Sequence, residues 1–249
     1  EADALMRLGS LETRRPEAEN FYQEALDLYR ELNDRHGQVD ALRRLLNFQE
    51  GQTDGERAAA LRLDLAKAHL SGGAPDAALN ELRDALRQLD ETASAALRAD
   101  LLLHIGIACR LKAQFADSLN ALRQAQALLP PESLKAGAIL LNLGETLFRQ
   151  AVSNGAADVE AATQMFQQAL QMYRQLEDIG GQGAALMRIG DALLRQGRYA
   201  EAAAAYQQAV ALLAQVDDHY HEIVALMSLG AAYNAQGLYW DALEAYRRA

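Results

Sequence analysis

Side chains that could act as nucleophiles, metal ligands or proton carriers are few in this sequence. The chain has one cysteine, Cys109, and five histidines, of which His219 and His221 lie close together. A zinc site needs three or four such ligands in suitable geometry, and no CxxC, HExxH or glycine-rich phosphate loop occurs. We therefore interpret Cys109 as a core thiol and His36, His69, His219 and His221 as surface or helix-end residues. No catalytic residue, metal ligand or cofactor is predicted, and the chain is not expected to be an enzyme.

The overall charge limits the partners that the chain can bind. The formal net charge of its 249 residues is −10, whereas non-specific binding of DNA or RNA depends on a cationic surface. We therefore expect no nucleic-acid partner, although a basic protein partner is compatible with this charge. The sequence contains no run of 18 apolar residues and no signal peptide, so no membrane association is expected. The single cysteine fits a reducing compartment, and we expect a cytoplasmic protein.

The stretch Ala184–Ala249 contains one pattern twice. Gly190 and Gly230 lie 40 residues apart, and the residues around them match position by position. In each copy an apolar stripe at helical spacing leads to a turn glycine, Gly197 in the first copy. A second helical stripe follows, which includes Tyr206. Neither helix can bury its stripe alone, so we expect each copy to be a helix pair that stacks on the next pair.

This pattern resembles the tetratricopeptide repeat. The signature of that family is a large residue, then Leu-Gly, an aromatic residue, a small residue, a second aromatic residue and a second small residue. In the second copy these places are filled by Leu226, Leu229, Gly230, Tyr233, Ala242, Tyr246 and Ala249. The period is similar to that of the long-repeat branch found in many bacterial regulatory proteins and in motor and polarity adaptors. The resemblance implies an all-α, right-handed superhelical solenoid of antiparallel helix pairs, with about six repeats.

On this pattern the chain divides into an irregular part and a regular part. Residues 1–55 are expected to form degenerate N-terminal repeats, because Gly9 lies about three residues too close to Tyr22 and the helix Val39–Gln49 has an ambiguous role. Regular repeats are expected over residues 56–249, at 56–92, 93–131, 132–179, 180–218 and 219–249, the last of them incomplete. We expect one continuous solenoid, cut from a longer protein.

One of the regular repeats is longer than its neighbours. Its glycine, Gly144, precedes its second-helix aromatic residue, Phe166, by 22 residues, whereas Gly190 precedes Tyr206 by 16. We therefore predict six extra residues around the turn Ala151–Val159, where a Ser-Asn-Gly sequence favours a loop. A tolerated loop and a functional insertion are both compatible with this pattern.

The resemblance also implies where a ligand would bind. In the family, the first helix of each repeat lines a concave groove, and residues beside the Leu-Gly pair point into it. Counted from positions 66, 106, 144, 190 and 230, the predicted groove residues are Asp64, Lys67, His104, Arg110, Asn142, Glu145, Arg149, Arg188, Asp191, Arg195 and Asn234. Helical spacing puts these positions opposite the apolar stripe or beside it.

Arginine and asparagine determine what this groove could recognise. Arginine can bind a carboxylate through two parallel hydrogen bonds, and the amide of Asn142 can pair with a peptide N–H and C=O together. Glu145 and Asp191 are close in the pattern to Arg149 and Arg188. These arginines therefore either contact a ligand or pair within the chain, and the sequence leaves both interpretations open.

The expected function is non-catalytic binding of a peptide or protein segment in the groove. The partner could be basic or could carry a C-terminal carboxylate. The clamp that some relatives use for the C-terminus of a chaperone is not expected, because Leu103, Ile107 and Ala184 occupy places that need polar residues. By analogy with the family, the chain would be the regulatory region of a larger bacterial signalling protein.

Two other functions are compatible with the sequence. One is a sensor domain that binds a small ligand or short peptide and controls an attached output domain. The other is a scaffold for oligomerisation. Trp240, the single tryptophan, is expected to pack against a following repeat that is missing, and the apolar area left at this end would favour self-association.

Overall fold

The structure of the chain, a computed structural model, describes residues 1–12, 14–49, 55–90, 93–155 and 159–249. These residues form thirteen α-helices and no β-strand. In chain order the helices are α1 (Ala2–Leu11), α2 (Arg15–Glu31), α3 (Arg35–Gln49), α4 (Gly55–Ser71), α5 (Pro75–Gln88), α6 (Ala95–Leu111), α7 (Phe115–Ala127), α8 (Leu134–Ser153), α9 (Glu160–Gln175), α10 (Ile179–Arg195), α11 (Tyr199–Gln215), α12 (His219–Ala235) and α13 (Tyr239–Arg248). The all-helical class predicted from the sequence is confirmed.

The helices form two compact units, Glu1–Leu128 and Leu129–Ala249. Unit 2 consists of the pairs α8–α9, α10–α11 and α12–α13, and each of its helices packs against the next one along the chain. The first helices of the pairs also contact one another, α10 with α8 and with α12. The second helices α9, α11 and α13 make no such contact within the described part of this unit. The first helices therefore lie side by side as an inner layer.

Each pair of unit 2 closes where a glycine of the first helix meets a ring of the second. A Cβ atom built on Gly144 would lie 2.5 Å from the Phe166 ring, and one on Gly190 would lie 2.6 Å from the Tyr206 ring. Both rings are buried. The rings thus pack directly on helix backbone, which explains why the pattern requires glycine at this position. The third pair makes the same contact.

The starts of α10 and α12 are fixed by an aspartate in the preceding turn. Asp178 accepts a hydrogen bond from the backbone N–H of Gly181 at 3.0 Å, and Asp218 accepts one from His221 at 3.2 Å. Such caps satisfy amide groups that have no partner in the first turn of a helix. The caps set the register of α10 and α12, and therefore which side chains share a face.

Unit 1 contains pairs of the same kind. In α6–α7, a Cβ on Gly106 would lie 2.6 Å from Leu122, and in α1–α2 one on Gly9 would lie 2.8 Å from the Tyr22 ring. The short spacing that suggested a degenerate first repeat is therefore accommodated without loss of the glycine–ring contact.

The helix α3 has no second helix of its own. It packs on α2 on one side and on α4 on the other, and it contacts α1 as the first helix of a pair would. It begins at Arg35, four residues before the predicted start at Val39. The earlier start follows from Asp34, whose carboxylate accepts hydrogen bonds from the amides of His36 and Gly37 at 3.0 and 3.2 Å. The ambiguity in the sequence before residue 56 thus corresponds to a single helix placed between two pairs.

Part of the predicted insertion lengthens α8. This helix ends at Ser153, three residues into the predicted turn Ala151–Val159, and Gly155 follows with φ of 71°. Residues 156–158 of the predicted insertion Ala151–Val159 lie outside the described residues. The described part of the insertion therefore lengthens α8 by almost one turn.

Replacing Gly190 by alanine tests the glycine–ring contact. The added methyl group would lie 2.6 Å from the Tyr206 ring, so the free energy of unfolding should fall by about 1–3 kcal/mol through overpacking. Gly180→Ala on the same helix is the matched control, because the nearest atom to its Cβ, Asp178 Oδ1, is 3.7 Å away. That variant should lose no stability and could gain up to about 1 kcal/mol from helix propensity. Denaturant unfolding followed by circular dichroism measures both, and equal effects would contradict the role of the contact.

Candidate functional site

The predicted groove residues form one group in each unit. Those of unit 1 lie on α4 and α6, and those of unit 2 lie on α8, α10 and α12. The unit 1 group is Asp64, Lys67, His104 and Arg110, and the unit 2 group is Asn142, Glu145, Arg149, Arg188, Asp191, Arg195 and Asn234.

Four residues of the unit 2 group form a continuous line of ion pairs, which we call the charged row. Within α8, Arg149 Nε lies 2.6 Å from Glu145 Oε1. Arg188 of α10 reaches both acids, with its Nε 3.6 Å from Glu145 Oε2 and its Nη1 3.1 Å from Asp191 Oδ2. The charged row therefore crosses from α8 to α10 and alternates in sign, in the order Arg149, Glu145, Arg188, Asp191.

The carboxylates of the charged row are less exposed than its guanidinium groups. The side chain of Glu145 is 9% exposed, compared with 58% for Arg149 and 44% for Arg188. A buried carboxylate needs a paired cation, so Glu145 fixes the position of both arginines while they remain in contact with solvent. A guanidinium carries five N–H donors, so one that binds a carboxylate through Nε retains donors for a second acceptor.

A tyrosine hydroxyl from a second helix also binds the charged row. Tyr206 of α11 donates a hydrogen bond to Asp191 Oδ1 at 2.7 Å. The pKa of Tyr206 is raised, first by burial and then by the charge of Asp191, so the hydroxyl stays protonated and keeps donating. Burial also raises the pKa of Asp191, against the opposing effects of the Tyr206 hydrogen bond and the charge of Arg188.

The sequence placed Tyr206 in the apolar stripe, and the hydrogen bond to Asp191 was missed. Two signals could have found it. An aspartate directly follows Gly190, and the aromatic residue is a tyrosine where the preceding repeat has Phe166. Because the ring lies against Gly190, its hydroxyl reaches the next residue along α10.

The remaining predicted residues of unit 2 are Asn142, Arg195 and Asn234. The Nδ2 of Asn142 donates to the carbonyl of Ala138 one turn earlier, at 2.9 Å, so the amide is partly engaged by its own helix. Arg195 and Asn234 are exposed. The sequence left open whether Arg149 contacts a ligand or pairs within the chain. In the structure Arg149 pairs with Glu145, and its guanidinium group remains accessible to solvent.

In unit 1 a residue outside the predicted set joins the group. Arg30, near the end of α2, places Nη2 2.9 Å from Asp64 Oδ2, and Lys67 Nζ lies 3.2 Å from Asp64 Oδ1. Arg30 was missed because it lies on a second helix, in the part of the chain whose repeat register was ambiguous.

The two predicted residues of α6 are partly buried. His104 Nδ1 lies 2.7 Å from the carbonyl oxygen of Asp100 on the same helix. Burial lowers the pKa of His104, which the hydrogen bond opposes, so the ring favours the neutral form. Arg110 is half-buried.

The residues considered for catalysis or metal binding occupy ordinary structural positions. Cys109 is buried, and burial raises the pKa of its thiol, which disfavours the reactive thiolate. His221 Nδ1 lies 2.7 Å from Asp218 Oδ2, and His219 Nδ1 lies 3.7 Å from Glu222 Oε2. Across the described ranges no three metal-ligating side chains gather. No described helix has both the length and the apolar character needed to cross a membrane.

The end formed by α12 and α13 exposes large apolar side chains. Trp240 is 84% exposed and Tyr239 69%, and Met227 is also exposed. The described residues therefore leave most of the Trp240 side chain uncovered. Self-association through this end stays a prediction.

The raised pKa of Asp191 determines how stability should change with pH. A group whose pKa is higher in the folded state binds its proton more tightly there, so its contribution to stability is present at low pH and is lost as the pH rises through the folded-state pKa. Relative to Asp191→Asn, the wild-type chain should therefore gain free energy of unfolding between about pH 7 and about pH 4. Melting temperatures of both proteins across this range measure the effect, and a constant difference would contradict it.

Comparison with known protein families supports the repeat pattern. The sequence profile of the tetratricopeptide repeat matches residues 181–249, which include both in-register copies. A search of curated protein sequences gives no significant match.

Solved structures share the fold over most of the chain. A Rap protein complexed with competence and sporulation factor superposes with a TM-score of 0.66 at 20% identity, covering 99% of this chain and 73% of that one. A signal transduction ATPase with numerous domains and a tetratricopeptide repeat sensor, from Pyrococcus horikoshii, superposes with a TM-score of 0.65 at 14% identity. That match covers 94% of this chain and 38% of the ATPase chain. BtubC from P. vanneervenii superposes with a TM-score of 0.63 at 16% identity, covering 89% of each chain. At these identities the likeness is one of fold, and it confirms the repeat fold predicted from the sequence.

Proposed function

We propose that the chain is a non-catalytic scaffold of tetratricopeptide repeats that binds a peptide or protein segment. The binding surface in this proposal is the face of α8 and α10 that carries the charged row. The observation that carries the proposal is the row itself, in which a buried Glu145 positions two solvent-accessible arginines on adjacent helices.

The spacing of the first helices suits an extended chain. Packed helices lie about 8–10 Å apart, and an extended peptide advances roughly 3.3 Å per residue. About three peptide residues would therefore lead from the arginine on α8 to the arginine on α10. Peptide carbonyl or carboxylate oxygens can accept from Arg149 and Arg188, whereas peptide donors can reach Asp191.

The charges of the row and of the whole chain indicate which partners could bind. The row alternates in sign, so it can pair with acidic and basic groups of one ligand at different points. The net charge of −10 favours encounter with a basic partner over an acidic one, and a C-terminal carboxylate remains compatible with the arginines. The predicted groove residues of unit 1, Asp64, Lys67, His104 and Arg110, are proposed as a contact surface of that unit by itself.

A known complex of a protein with the same fold supports the proposal of a peptide or protein ligand. The Rap protein was crystallised in complex with competence and sporulation factor. By analogy of fold alone, we place the present chain in the regulatory part of a larger bacterial signalling protein. The same argument applies to a sensor role, in which ligand binding would act on an attached output domain.

Removing the arginines of the charged row tests this function. The probe is a peptide selected from an unbiased fluorescent library by binding to the intact chain. Arg149→Ala and Arg188→Ala should each weaken its binding by roughly tenfold or more, because each removes charge-assisted hydrogen bonds. Fluorescence anisotropy measures the affinity. Circular dichroism shows whether each variant keeps its helical content.

Arg198→Ala is the matched control. Arg198 directly precedes α11, the second helix of the same pair. It is 49% exposed and forms an ion pair with Glu201 at 2.6 Å. It thus resembles Arg188 in exposure and pairing but does not belong to the charged row. Its removal should leave the affinity unchanged. Unchanged binding in both row variants, or an equal loss in Arg198→Ala, would contradict the proposed surface.

A further inference from the structure

A cleft of about 310 Å³ lies in unit 1 between α3 and α4, beside the end of α2. It occurs where α3 and α4 follow each other without a second helix between them. Pockets for small molecules start at about 300 Å³. The volume of the α3–α4 cleft therefore suits a molecule of a few heavy atoms better than a peptide segment.

Two cations and one carboxylate lie along the cleft. Arg30 Nη2 and Lys67 Nζ are 2.9 and 3.2 Å from the two oxygens of Asp64. All three side chains are between one-third and one-half exposed, so a ligand can reach each of them. Asp27 also contacts Arg30, at 3.2 Å, but it is not one of the lining residues.

Two neutral side chains of the cleft have a donor already engaged. Gln38 donates from Nε2 to the carbonyl of Tyr29 at 3.1 Å, and the Ser71 hydroxyl donates to the carbonyl of Ala68 at 3.0 Å. Their side-chain oxygens are acceptors. Together with Asp64, the cleft therefore holds three acceptor groups, which matches the three N–H donors of an ammonium group.

The rest of the lining is apolar. Leu42 of α3 is 2% exposed, and Ala68 of α4 is 6% exposed. Both side chains are almost fully covered by the chain itself, so they close the cleft and offer a ligand little apolar surface.

We propose that the α3–α4 cleft binds a free α-amino acid. The ligand carboxylate pairs with Arg30 and Lys67, and the ligand ammonium pairs with Asp64 and the oxygens of Gln38 and Ser71. This site is separate from the charged row, because its residues lie in unit 1 and its ligand belongs to another chemical class. It uses Asp64 and Lys67, which also belong to the predicted groove residues of unit 1.

The pairing already present in the cleft favours a zwitterion over a simple ion. A ligand with only a carboxylate must compete with Asp64 for both cations, and a ligand with only an ammonium group must compete with both cations for Asp64. A zwitterion gives each of these groups a new partner of opposite charge. It therefore replaces the ion pairs of the free protein without leaving a charge unpaired.

Isothermal titration of the intact chain with glycine and L-alanine, the smallest free amino acids, tests the site. At least one of them should bind, and its N-acetyl and amide derivatives, which lack the ammonium and the carboxylate respectively, should bind at least about tenfold more weakly. Arg30→Gln and Asp64→Asn should each weaken binding of the free amino acid by a similar factor. Arg87→Gln is the matched control, because this exposed arginine of α5 pairs with Asp84 at 2.7 Å outside the cleft, and it should leave binding unchanged.

Three results would overturn the proposal. They are the absence of binding by both amino acids, equal binding of the free and derivatised forms, or equal affinity in the wild-type, Arg30→Gln and Asp64→Asn chains. Thermal unfolding of each variant establishes that it is folded before its affinity is compared.

Discussion

In most helix pairs of this chain, the bare backbone of a glycine in the first helix contacts a large side chain of the second. The pairs with this contact are α1–α2, α6–α7, α8–α9, α10–α11 and α12–α13. Where Tyr206 lies against Gly190 or Phe166 against Gly144, the ring occupies space that any other residue would fill with its Cβ. This contact sets the separation and rotation of the two helices, and therefore which positions of the first helix remain on the opposite side. The polar faces of α8 and α10 exist because the apolar stripe is fixed in this way.

The charged row is better suited to recognition than to stabilisation. Exposed ion pairs contribute about 0–1 kcal/mol each, so the pairing of Arg149, whose side chain is 58% exposed, adds little to folding. The buried carboxylate of Glu145 and the hydrogen bond from Tyr206 to Asp191 have a different effect. They hold the arginines on two adjacent helices in defined positions while the guanidinium groups remain accessible. A surface that is ordered before binding loses less conformational entropy when a ligand arrives.

The regular repeats were predictable because a glycine and a ring at fixed spacing encode one local contact. The two copies around Gly190 and Gly230 were sufficient to predict the pairs, their stacking and the polar positions of α8 and α10. The single helix α3 was not predictable in the same way, because it follows α2 as the first helix of a pair would and then packs on α4. Its role depends on both neighbours and not on its own periodicity.

The candidate site was predictable only in part, for a related reason. Positions on one helix follow from periodicity, and Glu145, Arg149, Arg188 and Asp191 were placed correctly on their helices. Partners on other helices depend on three-dimensional packing. The hydroxyl of Tyr206 reaches Asp191 because its ring lies on Gly190, and Arg30 reaches Asp64 from the end of α2. Neither contact has a fixed sequence spacing.

The central claim is that a peptide binds on the first helices and not on the second, and site-specific photo-cross-linking tests it most directly. A benzophenone amino acid is placed at Arg195, exposed on α10 one turn after Asp191, and in a second protein at Ala204, exposed on the second helix α11. A library-selected peptide should cross-link several-fold more efficiently from the first position than from the second. Preferential cross-linking from Ala204 would place the ligand on the second helices and contradict the account.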